Sequence, residues 1–239
     1  MRPLLAQIVF FPYSRTMVER IIVGPLHTNA YVYSISKKEC IVIDPGADPV
    51  LLKDKLDAIN MRPRAFIFTH GYLDHISASL ALMQAYDEFD LNIQVGIHEA
   101  DLHLLGKGGL TEQHSLFHAT GNLNIYNLLE TDLPNATFTY SDGDSILDTN
   151  LQIIHTPGRS LGSVCFYDES QSLIFTGDTL LFKTIGKTNL PEADRATLLD
   201  SVRSRLFPLP PETVVFPGHG PRTTIERELK NNPVFRDET

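Results

Sequence analysis

Short apolar runs, most of them followed by Gly, Pro, Asp or Asn, recur along the chain. Val, Ile, Leu and aromatic residues fill these runs, whose lengths are typical of buried or half-buried strands. The pattern predicts strands over residues 18–23, 30–34, 40–43, 65–68, 93–97, 137–140, 145–147, 151–154, 163–167, 173–175 and 213–216.

Apolar residues at helical spacing predict helices between several of these strands. Pro49 lies where the first turn of a helix accepts proline, and Leu52, Leu56 and Ile59 then follow the spacing of one helical face. Further helices are predicted over residues 76–86, 98–105, 193–206 and 223–230. The periodicity therefore indicates a mixed α and β fold.

Residues 106–136 show no clear period. They contain Gly106, Gly108, Gly109 and several polar residues. An aperiodic stretch of this length in a compact domain is usually functional or mobile. We therefore interpret the segment as a loop and as a candidate active-site flap.

The length and composition are consistent with one domain. The chain has 239 residues, of which 42% are hydrophobic, and no Pro/Ser-rich linker, repeat or block of charge divides it. We expect residues 17–239 to form a single domain and treat residues 1–16 as an uncertain N-terminal extension. Pro3 and Pro12 bracket the apolar run of this extension. A signal peptide and a natural start at Met17 both stay open.

The net charge, the hydrophobicity and the cysteine content of the chain indicate which partners and which cellular compartment to expect. A formal charge of −9 disfavours a nucleic-acid substrate, which usually contacts a basic face. No apolar stretch approaches the length of a membrane span, so no membrane partner is predicted. Cys40 and Cys165 lie inside predicted strands, and we predict buried free thiols in a cytoplasmic protein. The oligomeric state is not predicted.

Residues 65–75 form the first candidate metal-binding stretch. The predicted strand over residues 65–68 leads directly to Thr69 and His70, and Asp74 and His75 follow within five residues of His70. Asp and His at a strand end can present metal ligands from a rigid scaffold. Taken alone, the stretch is better explained as a solvated turn with an N-cap Asp before the helix predicted over residues 76–86.

Three later fragments repeat the combination of a strand end, a Gly or Pro turn and a metal-capable side chain. They are residues 155–159, 175–179 and 216–220. Together with residues 65–75 they resemble the metallo-β-lactamase superfamily, and most closely its glyoxalase II-like (hydroxyacylglutathione hydrolase-like) branch. The resemblance runs from about residue 18 to residue 234 and includes residues 23–29, 42–46, 186–191 and 232–235. It implies an α+β fold, the four-layer αββα sandwich.

The family motifs match this sequence with two substitutions. The motif Thr-His-x-His-x-Asp-His corresponds to residues 69–75, where Tyr72 replaces the second His. The motif Pro-Gly-His corresponds to residues 157–159, where Arg159 replaces the His. The bridging Asp of the family matches Asp178, and the His of its last motif matches His219.

The family has two metal sites, and both substitutions fall on the first of them. The positions of the first site are His70, Tyr72, Arg159 and Asp178. The positions of the second site, all of them intact, are Asp74, His75, His219 and Asp178. Arg stays protonated and cannot ligate, so the first site is expected to be empty. His70 remains a candidate ligand nevertheless. We predict one divalent ion, zinc first, with iron and manganese as alternatives. The other reading is that no ion binds and the ligands are remnants.

The resemblance implies water attack on a thioester, ester or amide carbonyl that a metal ion polarises. We predict a metal-dependent hydrolase of a small thioester or ester, with Asp74, His70, Arg159 and Tyr72 as catalytic candidates. In our hypothesis, the Arg159 guanidinium occupies the vacated first site and pairs with Asp178. His70 then acts as general base or as a hydrogen-bond partner of Asp178. The alternative is a catalytically retired protein with a binding or regulatory role.

Overall fold

Two β-sheets form the centre of the molecule. The computed structural model of the chain describes residues 7–10, 16–87 and 91–236. Within these ranges, one sheet has the spatial order β1 (Gln7–Phe10), β2 (Met17–Val23), β3 (Thr28–Ser34), β4 (Glu39–Ile43), β5 (Arg62–Ile67), β6 (Gln94–His98) and β7 (Phe138–Tyr140). The other has the order β12, β11, β10, β9, β8, formed by β8 (Gln152–His155), β9 (Val164–Asp168), β10 (Leu173–Gly177), β11 (Val214–Pro217) and β12 (Thr223–Thr224).

Each sheet contains parallel strands, and their carboxyl ends position the functional residues. Strands β4 to β7 pair in parallel, and so do β10 and β11. Because parallel neighbours end at the same edge of a sheet, the segments that follow them lie side by side. His70 comes shortly after β5, Asp178 directly after β10, and His219 two residues after β11.

Helices cover the outer face of each sheet. They are α1 (Pro49–Ala58), α2 (Leu73–Ile76), α3 (Ser79–Gln84), α4 (Gly106–Ala119), α5 (Leu123–Leu129), α6 (Arg195–Ser201) and α7 (Ile225–Asn231). A π-helical segment, Val202–Leu206, continues α6, so the predicted helix over residues 193–206 is present in two parts.

Three clusters of buried side chains hold the four layers together. Between the sheets, the rings of Tyr31, Phe175 and Phe216 pack with centroids 5.2–5.6 Å apart. Leu52 of α1 belongs to the cluster under the first sheet, and Leu198 of α6 to the cluster under the second. Each fully buried large side chain contributes about 1.5–3 kcal/mol, so these clusters are a major source of the stability of the fold. The predicted αββα sandwich is confirmed.

The interpretation of residues 106–136 as a loop is wrong, because most of the segment forms α4 and α5. The inward face of α4 carries Leu110, Gln113 and Leu116 at a spacing of three residues, with Gln113 fully buried. The Gln113 side chain donates a hydrogen bond to the Gly71 carbonyl. A polar residue in the middle of the buried stripe hides the helical period from a hydrophobicity pattern.

Smaller differences from the predicted elements occur elsewhere. The helix predicted over residues 76–86 is replaced by the short helices α2 and α3, and the segment over 98–105 contains a 3₁₀-helix, Glu99–Leu104. The strand predicted over residues 145–147 is reduced to an isolated bridge between Ser145 and Gln152.

The predicted N-terminal extension is partly described. Strand β1 lies within it and pairs antiparallel with β2, while residues 1–6 and 11–15 lie outside the described residues. The boundary at residue 17 stays a prediction.

Cys40 and Cys165 are buried free thiols, as predicted. Over the described ranges, no helix is both long and apolar enough to cross a bilayer.

We expect Gly46→Ala to destabilise the protein by about 3 kcal/mol, because overpacking at a rigid contact has costs of this size. A Cβ at Gly46 would lie only 1.7 Å from the backbone oxygen of Asp74. Gly108→Ala is the matched control, since a Cβ there meets nothing within 4 Å, and a helical alanine is favoured by about 1 kcal/mol. Urea unfolding measures both, and equal stability of the two variants would contradict the prediction.

Candidate metal centre

The candidate ligands come together from both sheets at the edge where their parallel strands end. Helix α2 carries Asp74 and His75, and the loops after β10 and β11 carry Asp178 and His219. The close approach of the two sheets depends on Gly177, which has φ +47° and whose Cβ would lie 2.2 Å from Thr69 Oγ1. A side chain at this position would separate the two halves of the site.

Asp74, His75 and His219 form a group whose ligand atoms lie within 4.8 Å of one another. Asp74 Oδ2 lies 3.5 Å from His75 Nε2 and 3.5 Å from His219 Nε2. Asp178 Oδ1 lies 3.7 Å from His75 Nε2. Ligand atoms around a tetrahedral ion are about 3.4 Å apart when each bond is close to 2.1 Å. The spacing of these atoms therefore fits one small divalent ion.

His75 is oriented for ligation by Asp44, which the sequence analysis did not single out as a site residue. Asp44 Oδ2 lies 2.9 Å from His75 Nδ1, and its carboxylate also accepts hydrogen bonds from the Thr69 amide and hydroxyl at 2.8 and 2.7 Å. This network assigns the Nδ1 proton to the Asp44 side and leaves Nε2 facing the other ligands. The motif over residues 42–46 could have indicated Asp44 in advance. Asp44 follows β4, which pairs in parallel with β5, the strand that precedes the His70 and His75 motif.

The surroundings of His75 favour its charged form when no ion is bound. Burial alone would lower its pKa, but the carboxylates of Asp74, Asp44 and Asp178 outweigh burial and raise the pKa to about 9. Asp178 shows the reverse balance. Burial favours its neutral form, yet His219, His75 and Arg159 hold its pKa well below the usual value. An incoming cation therefore replaces a proton on His75 and finds Asp178 already ionised.

His70 lies beside His75, although the sequence analysis sorted the two into different sites. Their ring centroids are 4.2 Å apart, and His70, His75 and Asp178 form a second group of ligand atoms within 4.8 Å. The Nε2 atoms of both histidines are buried and have no hydrogen-bond partner among the described residues. Buried polar atoms of this kind usually face an ion or a water molecule. This observation supports the fit of the site to a cation.

The buried environment keeps His70 uncharged. Desolvation, followed by the charge of His75, holds the pKa of His70 well below its usual value. Its Nδ1 lies 3.0 Å from the Thr69 hydroxyl, which orients the ring. Neutral imidazole with a free nitrogen can ligate a cation or accept a proton.

Arg159 and Tyr72, the two departures from the family motifs, contact each other and Asp178. Arg159 Nε donates to Asp178 Oδ2 at 3.1 Å, as our hypothesis requires. The guanidinium carbon lies 4.3 Å from the centroid of the Tyr72 ring, and the Tyr72 hydroxyl donates to the Arg159 carbonyl at 2.8 Å. Arg159 Nη1 is buried without a partner among the described residues. Burial also raises the pKa of Tyr72, so its phenol stays protonated. The catalytic roles of both residues stay predictions.

Two further residues near the site were missed. Asp101 is fully buried and accepts from the Gly71 amide at 2.9 Å, the Ser160 hydroxyl at 2.7 Å and the Gly162 amide at 2.6 Å, which joins the Tyr72 loop to the Arg159 loop. Thr28 Oγ1 lies 3.2 Å from His219 Nε2 and 3.4 Å from Asp74 Oδ2. Thr28 falls in the motif over residues 23–29, whereas nothing in the sequence pattern indicates Asp101.

His155 lies outside both groups of candidate ligands. Its ring stacks on His98 with centroids 4.3 Å apart, and its Nε2 lies 2.9 Å from the Leu161 carbonyl oxygen. The imidazole is therefore engaged away from the candidate metal ligands.

Comparison with known proteins extends these observations. The family model described as the metallo-beta-lactamase superfamily matches residues 23–219. Hydroxyacylglutathione hydrolase GloC of Haemophilus influenzae is 31% identical over 223 residues, which cover 93% of this chain and 99% of that protein. The probable metallo-hydrolase YqgX of Bacillus subtilis is 31% identical over 215 residues, which cover 90% of this chain and 95% of that protein.

Solved structures with the same fold include two with more than 30% sequence identity. The BLEG-1 B3 metallo-β-lactamase superposes with a TM-score of 0.79 and 34% identity, covering 92% of this chain and all of the other. TTHA1623, in a di-iron-bound form, superposes with a TM-score of 0.76 and 32% identity, covering 90% of this chain and 99% of the other.

We expect Asp44→Asn to weaken metal binding by about tenfold to a hundredfold, because loss of the group that orients a ligating histidine has effects of this size. A chelator-competition titration with Zn²⁺ measures the affinity. Asp168→Asn is the matched control: Asp168 is also fully buried, but it pairs with the Tyr33 hydroxyl, which is no candidate ligand. Equal affinities of the two variants would contradict the role of Asp44.

Proposed function

Because the chain belongs to the metallo-β-lactamase superfamily, as its motifs predict, we propose that it is a metal-dependent hydrolase of a small thioester or ester. One observation carries the proposal. The intact group Asp74, His75 and His219 lies beside Asp178, a carboxylate that is already paired with the cation Arg159. The likeness to hydroxyacylglutathione hydrolase GloC and to YqgX supports this reaction class.

We propose that a single ion serves the reaction. The two groups of candidate ligands share His75, whose Nδ1 already contacts Asp44. Only His75 Nε2 is left to ligate, and one nitrogen lone pair binds one ion. The groups are therefore alternative positions for the same ion. Nitrogen and carboxylate oxygen donors suit zinc, iron or manganese, and the di-iron form of TTHA1623 supports keeping iron among the candidates.

The bound ion would lower the pKa of a water and polarise the substrate carbonyl. The remaining steps belong to residues of this chain. With the ion held by Asp74, His75 and His219, His70 Nε2, which is uncharged and unpartnered among the described residues, accepts the proton of the attacking water. Arg159, which lines the cavity over the site, donates from its guanidinium to the oxygen that becomes negatively charged, and Tyr72 holds the guanidinium from one face. The water oxygen bonds to the acyl carbon, the C–S or C–O bond breaks, and the proton that His70 accepted passes to the departing thiol or alcohol.

The fixed charge of Arg159 explains how one ion suffices. An arginine stays protonated over the whole physiological range of pH. Its pairing with Asp178 supplies, at one side of the site, the positive charge that a second ion would otherwise provide. Asp178 engages only Nε, and Arg159 lines the cavity, so the same guanidinium can also face a substrate.

A second candidate reaction is hydrolysis of a cyclic amide. The likeness to BLEG-1, a B3 metallo-β-lactamase, at 34% identity favours it. Attack on a lactam carbonyl would use the same donors and the same proton acceptor. Inclusion of a β-lactam substrate in each assay distinguishes the two reactions.

We expect Arg159→Ala to lower kcat/KM for a thioester by about a hundredfold to a thousandfold, since loss of one donor to a developing oxyanion has effects of this size. Arg159→Lys should restore only part of the rate, because lysine keeps the charge but not the planar fork. Arg205→Ala is the matched control, as this exposed arginine pairs with Asp142. All four proteins are assayed after loading with the same ion.

An unchanged rate in Arg159→Ala would contradict the role of the guanidinium. If the metal-loaded wild type hydrolyses no thioester, ester or lactam, the retired-hydrolase alternative replaces the proposed function.

A further inference from the structure

One cavity opens directly over the candidate metal ligands. Its volume is about 430 Å³, which lies at the small end of the range for ligand pockets. Asp74, Asp178 and His219 line it together with Arg159 and Tyr72. The positively charged Arg159 thus faces the same space as the ligands. A molecule bound here places one polar group against these residues and extends the rest of its length along the walls.

The walls of this cavity are mainly apolar. Helix α4 contributes Leu116 and Phe117, α5 contributes Ile125, and the segment after β10 contributes Ile185 and Leu190. Leu116 packs in a small cluster with Tyr72, and Leu190 packs against that cluster, so this wall is continuous with the polar base. A substrate with a polar or very short acyl group would leave these side chains in contact with water.

The lining of the cavity also includes exposed polar residues, one of them a lysine. Lys187 and Asn189 line it and are exposed. A leaving thiolate gains negative charge as the C–S bond breaks, and such charge is stabilised at a wet, cationic surface rather than against an apolar wall. A leaving group near Lys187 would leave the apolar side chains of Phe117 and Ile125 to the acyl chain.

We propose that the substrate class is thioesters of unbranched apolar acyl chains several carbons long, with the chain held by the wall of α4 and α5. The inference rests on the proposed function and names its substrate class. In the reaction, the water oxygen bonds to the acyl carbon, the C–S bond breaks, and the products are the apolar carboxylic acid and the free thiol.

The test is a chain-length series on one constant neutral carrier, N-acetylcysteamine, with the metal-loaded protein. Each methylene removed from water contributes about 0.8 kcal/mol, so kcat/KM should rise by about fourfold per methylene from acetyl through butyryl to hexanoyl. An isomeric pair separates the acyl side from the leaving side. S-Methyl hexanethioate should be hydrolysed faster than S-pentyl ethanethioate, although the two carry equal numbers of carbons.

Two variants on α5 connect the chain-length dependence to this wall. Ile125→Ala should lower the ratio of hexanoyl to acetyl rates, because Ile125 lines the cavity. Leu128→Ala should keep the wild-type ratio, because Leu128 is 68% exposed and lies outside this cavity. The ratio is taken within one sample, so a loss of folded protein cancels.

A binding measurement gives a readout that does not depend on turnover. Hexanoate, the product carboxylate, should bind the metal-loaded protein more tightly than acetate in an NMR titration, and Ile125→Ala should reduce the difference. Turnover with a flat chain-length profile, or faster hydrolysis of S-pentyl ethanethioate, would overturn the inference and leave the proposed function standing. If no thioester is hydrolysed, the proposed function fails, and equal binding of hexanoate and acetate would then overturn the inference as well.

Discussion

Charge balance around the buried carboxylate of Asp178 is the constraint on which the rest of the site depends. A buried ion must be paired and hydrogen-bonded, because its desolvation costs several kcal/mol. Asp178 meets this requirement through Arg159 Nε at 3.1 Å and His219 Nδ1 at 2.8 Å. Arg159 is a permanent cation, so this part of the balance depends on neither pH nor metal. With Tyr72 and Arg159 in place of the two histidines of the family motifs, one side of the site already contains the positive charge of Arg159. The other side, formed by Asp74, His75 and His219, can still bind a cation.

The fold supplies this arrangement through two sheets whose parallel strands end at one edge. Packing between the sheets fixes the separation of the loops, and Gly177 permits their close approach. Buried carboxylates outside the ligand groups then orient the loops: Asp44 fixes the ring of His75, and Asp101 joins the segments that carry Tyr72 and Arg159. The apolar wall of α4 and α5 borders the same space, so the polar site and the proposed acyl pocket share one cavity.

The sequence predicts most of the strands because strand formation follows a local pattern, whereas the αββα layers were predicted from the resemblance to the metallo-β-lactamase superfamily. Apolar runs define the strands, and the motifs around Asp74, Asp178 and His219 follow strand ends directly. Helix α4 was missed because the buried Gln113 interrupts its apolar stripe. The contacts of Asp101 join residues 30 to 61 positions apart, which no local pattern reveals. His70 and His75 belong to one group of ligand atoms because of the directions of their side chains within the turn. The motif does not contain these directions, so it assigned the two histidines to different metal sites.

In the site that we propose, one ion and one arginine occupy the space of a two-ion centre. The most direct measurement is the amount of metal per chain, determined by elemental analysis of protein purified without chelator and then supplied with zinc, manganese or iron. We expect close to one equivalent, which His219→Ala removes. Two equivalents in the wild type would contradict this expectation, because Tyr72 or another residue would then complete a second set of ligands. No bound metal with any of the three ions would also contradict it.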